Sequence, residues 1–543
     1  MKIVIIGGVA TGMSAATRAR RLDEHAEITV YEKSGHVSYA NCGLPYYLGG
    51  VIGSRESLLL QTPHSLHSRF KLNVFVKHEV IEIDAVAKSV EVRNLSTGEV
   101  FVDHYDKLVI ATGAKPNLLD IPGIERAVPL RNIEDADLLK AQISGDDKRR
   151  AVILGAGFVG IETAENLHQA GFEVTIVTPG FQILSSFDPE IVEPFQARLV
   201  ASGIQLKHGV TASEITDDAV TLTDGSVLPA SVVVNAAGVK PNTRLAEKAQ
   251  LKLGAGGGIW VDGNQRTSDG NIYAGGDAAL KSTEFQGEDA LIPLANLANR
   301  HGRAIADAIY GVQTNSSKSI GTTIIGAFGL TLAMTGLTEK NAKNYSVIHL
   351  HPSNHAGYYP DSKPISLKVL FDSTSGKILG AQALGEDGVD KRIDVIATAI
   401  KGNLTISDLM DLELSYAPQY GSAKDAINQA GYVGNNVFTG ITPTIQWHEL
   451  DEYMSSGWAL IDVRTQGEHS HGSIPGSTNI PVDELRNQIS LLQGKKVLVH
   501  CQVGQRGHTA TQILRGFGVE VRNLDGGYKT WRSAMDARKR KEG

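Results

Sequence analysis

Only two thiols occur in this 543-residue sequence, and each stands in a setting suited to chemistry. Cys42 lies in "SYANCGLPYYLGG", a stretch of small and turn-forming residues that follows a strand-like run. With no second cysteine nearby, its thiolate can act through a mixed disulfide, a persulfide or a sulfenic acid. Cys501 closes the apolar run "KKVLVHC", and Arg506 ends the segment "CQVGQR" just ahead of a helical pattern. A loop of that kind turns backbone N–H groups inward as an anion nest, and the dipole of the following helix adds to it. A thiol there is expected to fall from about 8.5 to about 6.5, which raises the thiolate at pH 7 from a few per cent to roughly three quarters.

The elements that must position Cys42 begin at residue 2. "KIVIIGG" reads as a buried strand, "TGMSAATRARRLD" as a helix and "EITVYEK" as a second strand. The same strand–glycine turn–helix–strand unit recurs over 149–180, in "RRAVILGAGFVGIETAENLHQAGFEVTIVTPG". A glycine turn between strand and helix lets a pyrophosphate approach the backbone and sit on the helix N-terminus. The second unit carries Gly155, Gly157 and Gly160; the first has Gly7 and Gly12, with Val9 at the middle glycine position. Glu32 ends the second strand, where a carboxylate can accept from a ribose 2′-hydroxyl. The corresponding place in the second unit holds Thr178, with no Arg cluster beside it, so NADH and NADPH both stay open.

From about residue 321 the texture changes. "GTTIIGAFGLTLAMTGLT" and "ISLKVLFDSTSGKILGAQALG" alternate like antiparallel strands, and helical runs follow at "KRIDVIATAIKGN" and "SAKDAINQAGYVG". The passage "NNVFTGITPTIQW" reads as turn-rich and leads to a last α/β block from about 446, whose basic end "DARKRKEG" reads as a solvated, frayed tail. The expected fold class is α/β: two Rossmann-like dinucleotide-binding domains, an α+β domain and a C-terminal α/β block.

Composition narrows the function classes. A hydrophobic share of 42% with 20% charged residues is that of a globular chain, and a net charge of −7 argues against a general nucleic-acid binder. No apolar run reaches the length of a membrane span. Two cysteines make no disulfide framework, so a reducing, cytoplasmic setting is expected.

At "TSDGNIYAGGDAA", Asp277 follows an apolar strand and a Gly-Gly pair, with "LVIATGAKP" and "VVVNAAGVKP" as partner strand ends. Residues 1–435 thereby resemble the flavoprotein disulfide reductase family. The resemblance implies an FAD-binding domain (1–112 and 245–320), an NAD(P)H-binding domain (113–244) and a dimerisation domain (321–435). FAD would be held by Gly7, Gly8, Val9, Ala10, Gly12, Glu32, Lys33, Ala111, Thr112, Gly113, Gly276 and Asp277. NADH or NADPH would be held by Gly155, Gly157, Phe158, Val159, Gly160 and Gly238, with Glu162 near both rings.

Most of that family uses a dithiol with four residues between the cysteines, which this chain lacks. Among the single-cysteine branches, "SYANCGLPYY", "HAGYYPDSKP" and "LSYAPQYGSAKD" resemble the coenzyme A disulfide reductases. That likeness implies Tyr358 and Tyr416 facing the Cys42 sulfur of the other subunit in an obligate homodimer. It also implies coenzyme A contacts from Ser14, Ser38, Asn41, Lys71, Asn296, Arg300 and Lys424. Arg18 and Arg21, three apart on one helix, are read as phosphate holders. Residues 446–540 resemble a rhodanese domain: "LIDVRTQGEHSHGSIPGSTNIPVDEL" matches its opening, with Asp462 and Arg464 as structural ion-pairing residues, and "CQVGQR" matches its active loop, with Cys501 and Arg506 as its reactive pair. Related phosphatases place five residues between Cys and Arg; the four here favour sulfane sulfur. The whole chain resembles the coenzyme A disulfide reductase–rhodanese fusion group. The expected substrates are small thiol disulfides and persulfides, and no metal is expected. Two alternatives stay open: a peroxide- or oxygen-reducing enzyme cycling Cys42 through a sulfenic acid, which Ala10 in place of a histidine argues against, and a rhodanese block that only carries sulfur or docks a partner.

Overall fold

The computed structural model describes residues 1–145, 147–285, 289–312 and 318–542. The chain packs as two units: residues 1–179 with 203–319, and residues 180–202 with 320–543.

The first unit holds two parallel five-stranded sheets. In one, Lys2–Ile6 lies centrally between Glu27–Glu32 and Lys107–Ile110, with Asn73–Val76 and Ile272–Ala274 outside them. In the other, Arg150–Leu154 pairs with Glu173–Thr178 and Val232–Asn235, flanked by Gln205–His208 and Val128–Pro129. Their continuous apolar runs fit strands buried on both faces. The helix Ala10–Leu22 packs on Ala295–Ile309 and covers the first sheet with Met13, Ala15, Ala16 and Ala19. Arg20 is buried near that helix end, and its guanidinium donates to the carbonyls of Phe70, Asp23, Glu24, Ala26 and Lys71. Those acceptors offset the cost of taking the cation out of water.

The second unit opens with an antiparallel sheet ordered Thr323–Ala327, Leu330–Gly336, Ile378–Gly385, Ser366–Asp372, Tyr345–Leu350. The helices Pro189–Ala201 and Val389–Lys401 pack on it. A parallel sheet follows, ordered Thr444–Ile445, Glu520–Leu524, Lys496–His500, Ala459–Asp462, Thr478–Asn479.

Two sequence expectations need correction. "NNVF" is not turn: the helix Ala426–Phe438 runs through it, with Gly434 set so closely against Ile406 that a Cβ would lie 2.1 Å from its Cγ1. The basic tail is not frayed: the last helix continues from Gly527 to Glu542 and packs on Pro189–Ala201, with Arg540 Nη2 at 2.5 Å from Glu193 Oε1. Among the described residues no helix is long and apolar enough to cross a membrane.

Candidate active site

Three segments of the first unit converge on the first glycine turn. Gly7 has φ +104°, and a Cβ there would lie 2.3 Å from the Ala111 carbonyl oxygen, so only glycine lets the two strand ends meet. Gly8 N–H donates to Glu32 Oε2 at 2.7 Å, and Ser34 N–H donates to the other oxygen at 2.8 Å. Val9 caps the helix that begins at Ala10, and Gly12 passes against the Gly7 carbonyl. Thr112 Oγ1 donates to the Asn242 carbonyl and Gly113 follows in the left-handed region, while the Lys33 ammonium pairs with Glu79. Gly276 and Asp277 form a short turn after Ile272–Ala274, and Arg131 lies 3.9 Å from the Asp277 carboxylate. Arg131 carried no signal in the sequence.

In the second glycine turn the space differs from residue to residue. A Cβ on Gly155 or Gly160 would strike backbone oxygen, whereas a Cβ on Gly157 would meet nothing within 4 Å. That open ground before the helix Phe158–Gln169 is where a pyrophosphate can reach the backbone. Val159 is exposed on the first turn of that helix, and Gly238 lies beyond the neighbouring strand with φ +89°.

Cys42 sits in the short turn Asn41–Gly43, immediately before the helix Leu44–Leu48, and is exposed. Partial burial of its sulfur pushes the thiol above its ordinary value, and the Glu162 and Asp277 carboxylates push the same way. Glu162 stands just past the first turn of its helix, and burial raises its carboxyl to about 7, against a hydrogen bond from the Tyr46 hydroxyl at 3.5 Å. Tyr46 is itself pushed up to about 12, chiefly by burial and then by Glu162. The helix that begins beside Cys42 thus packs its Tyr46 on the helix carrying Glu162; Tyr46 lay in the quoted motif but had no role assigned to it.

Of the basic and polar residues expected to meet coenzyme A, Ser14 donates to Asn299 at 2.7 Å. Arg18 Nε pairs with the buried Asp307 at 2.6 Å, whereas Arg21 turns over the Phe70 ring at 5.1 Å. The shared helix face therefore does not make them a pair. Ser38 has φ +47° and its N–H donates to the Gly8 carbonyl. Asn41, Lys71, Asn296 and Arg300 are all exposed in this unit, and Lys424 is exposed in the other.

In the second unit, Tyr358 and Tyr416 meet through their hydroxyls at 3.0 Å on an exposed surface. That hydrogen bond raises the Tyr358 phenol. Cys501 is buried at the end of Lys496–His500, and Gly504 N–H donates to its sulfur at 3.1 Å. The helix Gln505–Gly516 opens directly behind it. Arg506 reaches Glu468 with both terminal nitrogens, at 2.7 and 2.6 Å. Glu468 was legible only as the last residue of the Thr465–Glu468 capping box. Asp462 and Arg464 form a buried pair with contacts of 2.7 to 3.1 Å. Arg464 also donates to Gln502 in the Cys501 loop and lies 4.3 Å above the Tyr528 ring.

Residues 1–302 match the pyridine nucleotide-disulphide oxidoreductase family, 324–426 its dimerisation domain, and 446–534 the rhodanese-like domain. The chain belongs to the pyridine nucleotide-disulphide oxidoreductase family. It is 35% identical over 434 residues to the coenzyme A disulfide reductase of Staphylococcus epidermidis, covering 79% of this chain and 99% of that one. The reduced CoADR-RHD of Bacillus anthracis superimposes with a TM-score of 0.96 at 43% identity, covering 99% of this chain and 98% of that one. The NAD-dependent persulfide reductase of A. fulgidus gives 0.90 at 34%, covering 98% and 100%.

Proposed function

We propose that this chain is a flavin-dependent NAD(P)H reductase of coenzyme A disulfide and of coenzyme A or other small-thiol persulfides, working through Cys42 alone. The observation that carries the reading is an exposed, solitary Cys42 near the Glu162 and Asp277 carboxylates, with the chain's other thiol buried in the rhodanese block. The likeness to a coenzyme A disulfide reductase and to a persulfide reductase over nearly their full lengths supports the substrate class.

Residues 1–112 and 245–320 would hold FAD, whose two-electron chemistry links the nicotinamide to the Cys42 sulfur. The cradle at Gly7, Gly8 and Gly12 fits its pyrophosphate, Glu32 its ribose and Asp277 its ribityl chain. Residues 113–244 would hold NAD(P)H on the open Gly157 turn. Cys42 thiolate attacks one sulfur of coenzyme A disulfide, forming a Cys42–coenzyme A mixed disulfide and expelling coenzyme A thiolate. With coenzyme A persulfide the same bond forms and hydrosulfide leaves. The two electrons of NAD(P)H then cleave the mixed disulfide, and Cys42 thiolate and coenzyme A return. Tyr358 and Tyr416 of the partner subunit, already hydrogen-bonded to each other, stabilise the departing thiolate or protonate it. This makes residues 321–435 the homodimer interface. Arg21, Lys71 and Arg300 offer charge to the phosphates of coenzyme A, with Arg18 held back on Asp307.

In residues 446–540, Cys501 carries sulfane sulfur as a persulfide. Attack by a small thiol such as coenzyme A on the outer sulfur restores the Cys501 thiol and yields the small persulfide. Two free thiols with separate tasks suit a reducing compartment such as the cytoplasm. Intact-mass analysis of NADH-reduced enzyme quenched with coenzyme A disulfide tests the scheme. One coenzyme A mass added at Cys42 is expected; an unmodified Cys42, or an added oxygen in its place, sinks it.

A further inference from the structure

A buried cluster in the second unit is unused by the chemistry above. His349 lies on the edge strand Tyr345–Leu350, directly opposite Lys368 in the antiparallel register. Two like charges facing each other would normally destabilise a sheet. Here four carboxylates surround them. His349 Nδ1 lies 2.7 Å from Asp525 Oδ2, and its backbone N–H donates to the other oxygen of the same carboxylate at 3.2 Å. Its Nε2 lies 3.1 Å from Glu190 Oε1. Lys368 Nζ reaches Asp188 at 2.7 Å, Glu190 at 2.5 Å, and Glu339. The cation held by these acids is the protein's own ammonium.

Asp525 directly follows the strand Glu520–Leu524 of the rhodanese sheet, and the next residues are Gly526 and Gly527, both in the left-handed region. A Cβ on Gly526 would stand 2.8 Å from the His349 Cβ, and one on Gly527 would stand 2.4 Å from the Cys501 carbonyl oxygen. The turn is thus pressed against the imidazole on one side and the sulfur loop on the other. Beyond it, Tyr528 N–H donates to the Cys501 carbonyl at 2.8 Å and Lys529 N–H to the Gln502 carbonyl at 3.0 Å. Thr530 meets His351 Nε2 at 3.0 Å.

We propose that His349 is a positioning residue for sulfur transfer: its imidazole pins the Asp525–Gly527 turn, which in turn fixes the backbone of the Cys501 loop. The proposal rests on Cys501 as the sulfur carrier, but the pin itself does not. Both ring nitrogens face carboxylates, so the pin is strongest as imidazolium. The neighbouring acids raise His349 to about 9, although burial and the Lys368 charge oppose them. His351, two residues along the strand, is held neutral by burial, with Lys529 adding to the effect. Because the folded value is raised, the pin is complete below the ordinary imidazole range and is lost as pH climbs through about 9.

The test uses full-length, FAD-loaded enzyme with Cys42→Ser as the parent, so that iodoacetamide reports Cys501 alone. His349→Gln keeps a polar side chain but never charges. The expected result is alkylation of Cys501 at least fivefold faster at pH 7.5. In enzyme with Cys42 intact, kcat/KM for sulfur transfer from thiosulfate to cyanide should fall at least tenfold, while NADH turnover with coenzyme A disulfide stays within twofold. Hydrogen exchange of residues 501–506 in the unaltered protein, corrected for base catalysis, should rise between pH 8 and 10; this arm decides the matter should His349→Gln not fold. Unchanged alkylation together with a flat exchange profile overturns the pin. If thiosulfate transfer is absent from the unaltered protein while alkylation and exchange respond as stated, the pin stands and the sulfur-carrier reading of Cys501 falls.

Discussion

Asp462→Asn isolates the frame of the sulfur loop. The Arg464 guanidinium is almost wholly buried, and Asp462 accepts from its Nε and Nη2 while also accepting the Arg464 backbone N–H and facing His469 at 2.9 Å. An amide supplies one acceptor where the carboxylate supplies two and turns an N–H group toward a cation. The guanidinium would keep Gly472, Gln502 and at most the single amide oxygen as hydrogen-bond acceptors. Breaking a buried pair by removing one charge costs about 3–5 kcal/mol, because the other charge stays behind uncompensated. For a unit of this size that is a loss of at least ~6 °C in Tm. Three of the four tryptophans, Trp447, Trp458 and Trp531, lie in the block, so tryptophan fluorescence follows its unfolding in the full-length chain. The acid side gives a second reading. Burial opposes ionisation of Asp462, but Arg464 and the nearby histidines prevail and hold it at about 2. Its stabilisation is therefore present above the ordinary carboxyl value and lost as pH falls from about 4 through about 2; the variant should lack that acid step. A variant Tm within 3 °C of the unaltered protein at pH 7, with the acid step intact, would refute the reasoning.

Glu162→Gln removes one of the two carboxylates that oppose the Cys42 thiolate. In a Cys501→Ser background Cys42 should react faster with iodoacetamide above pH 7, and the step near pH 7 set by Glu162 should vanish from the profile; an unaltered profile counts against the coupling. Glu32→Gln leaves the Gly8 and Ser34 N–H groups with one acceptor between them. Losing a hydrogen bond to a charged group costs about 1.5–3 kcal/mol, so FAD affinity should weaken roughly 10- to 150-fold, read by equilibrium dialysis. Gly157→Ala places a methyl in open space at an ordinary backbone angle. Its Tm should match the unaltered protein within ~2 °C, while the KM for NADH rises severalfold; a fall in Tm without a change in KM contradicts the assigned site.

Much of this site could be read from the sequence because its signals are local. Glycine turns between apolar strands and helices, a lone cysteine in a turn, and a Cys-to-Arg loop before a helix all declare themselves within twenty residues. What could not be read depends on distant partners. Arg18 looks available on its helix until Asp307, on another helix, takes it. The tail "DARKRKEG" has the composition of a solvated end, yet Arg540 finds the nearly buried Glu193 far earlier in the chain. "NNVF" carries turn residues, but packing of Gly434 on Ile406 extends the helix through it. His349 and Asp525 are ordinary residues in sequence and acquire meaning only where two sheets bring them together.

The most direct measurement of the central claim is steady-state turnover of unaltered enzyme and Cys42→Ser, both FAD-loaded, with NADH and coenzyme A persulfide, alongside hydrogen peroxide as the competing acceptor. Persulfide turnover should collapse to background in the variant, and peroxide should be a poor acceptor for the unaltered enzyme. Equal persulfide rates in the two proteins, or peroxide turnover exceeding that with persulfide, would contradict the account.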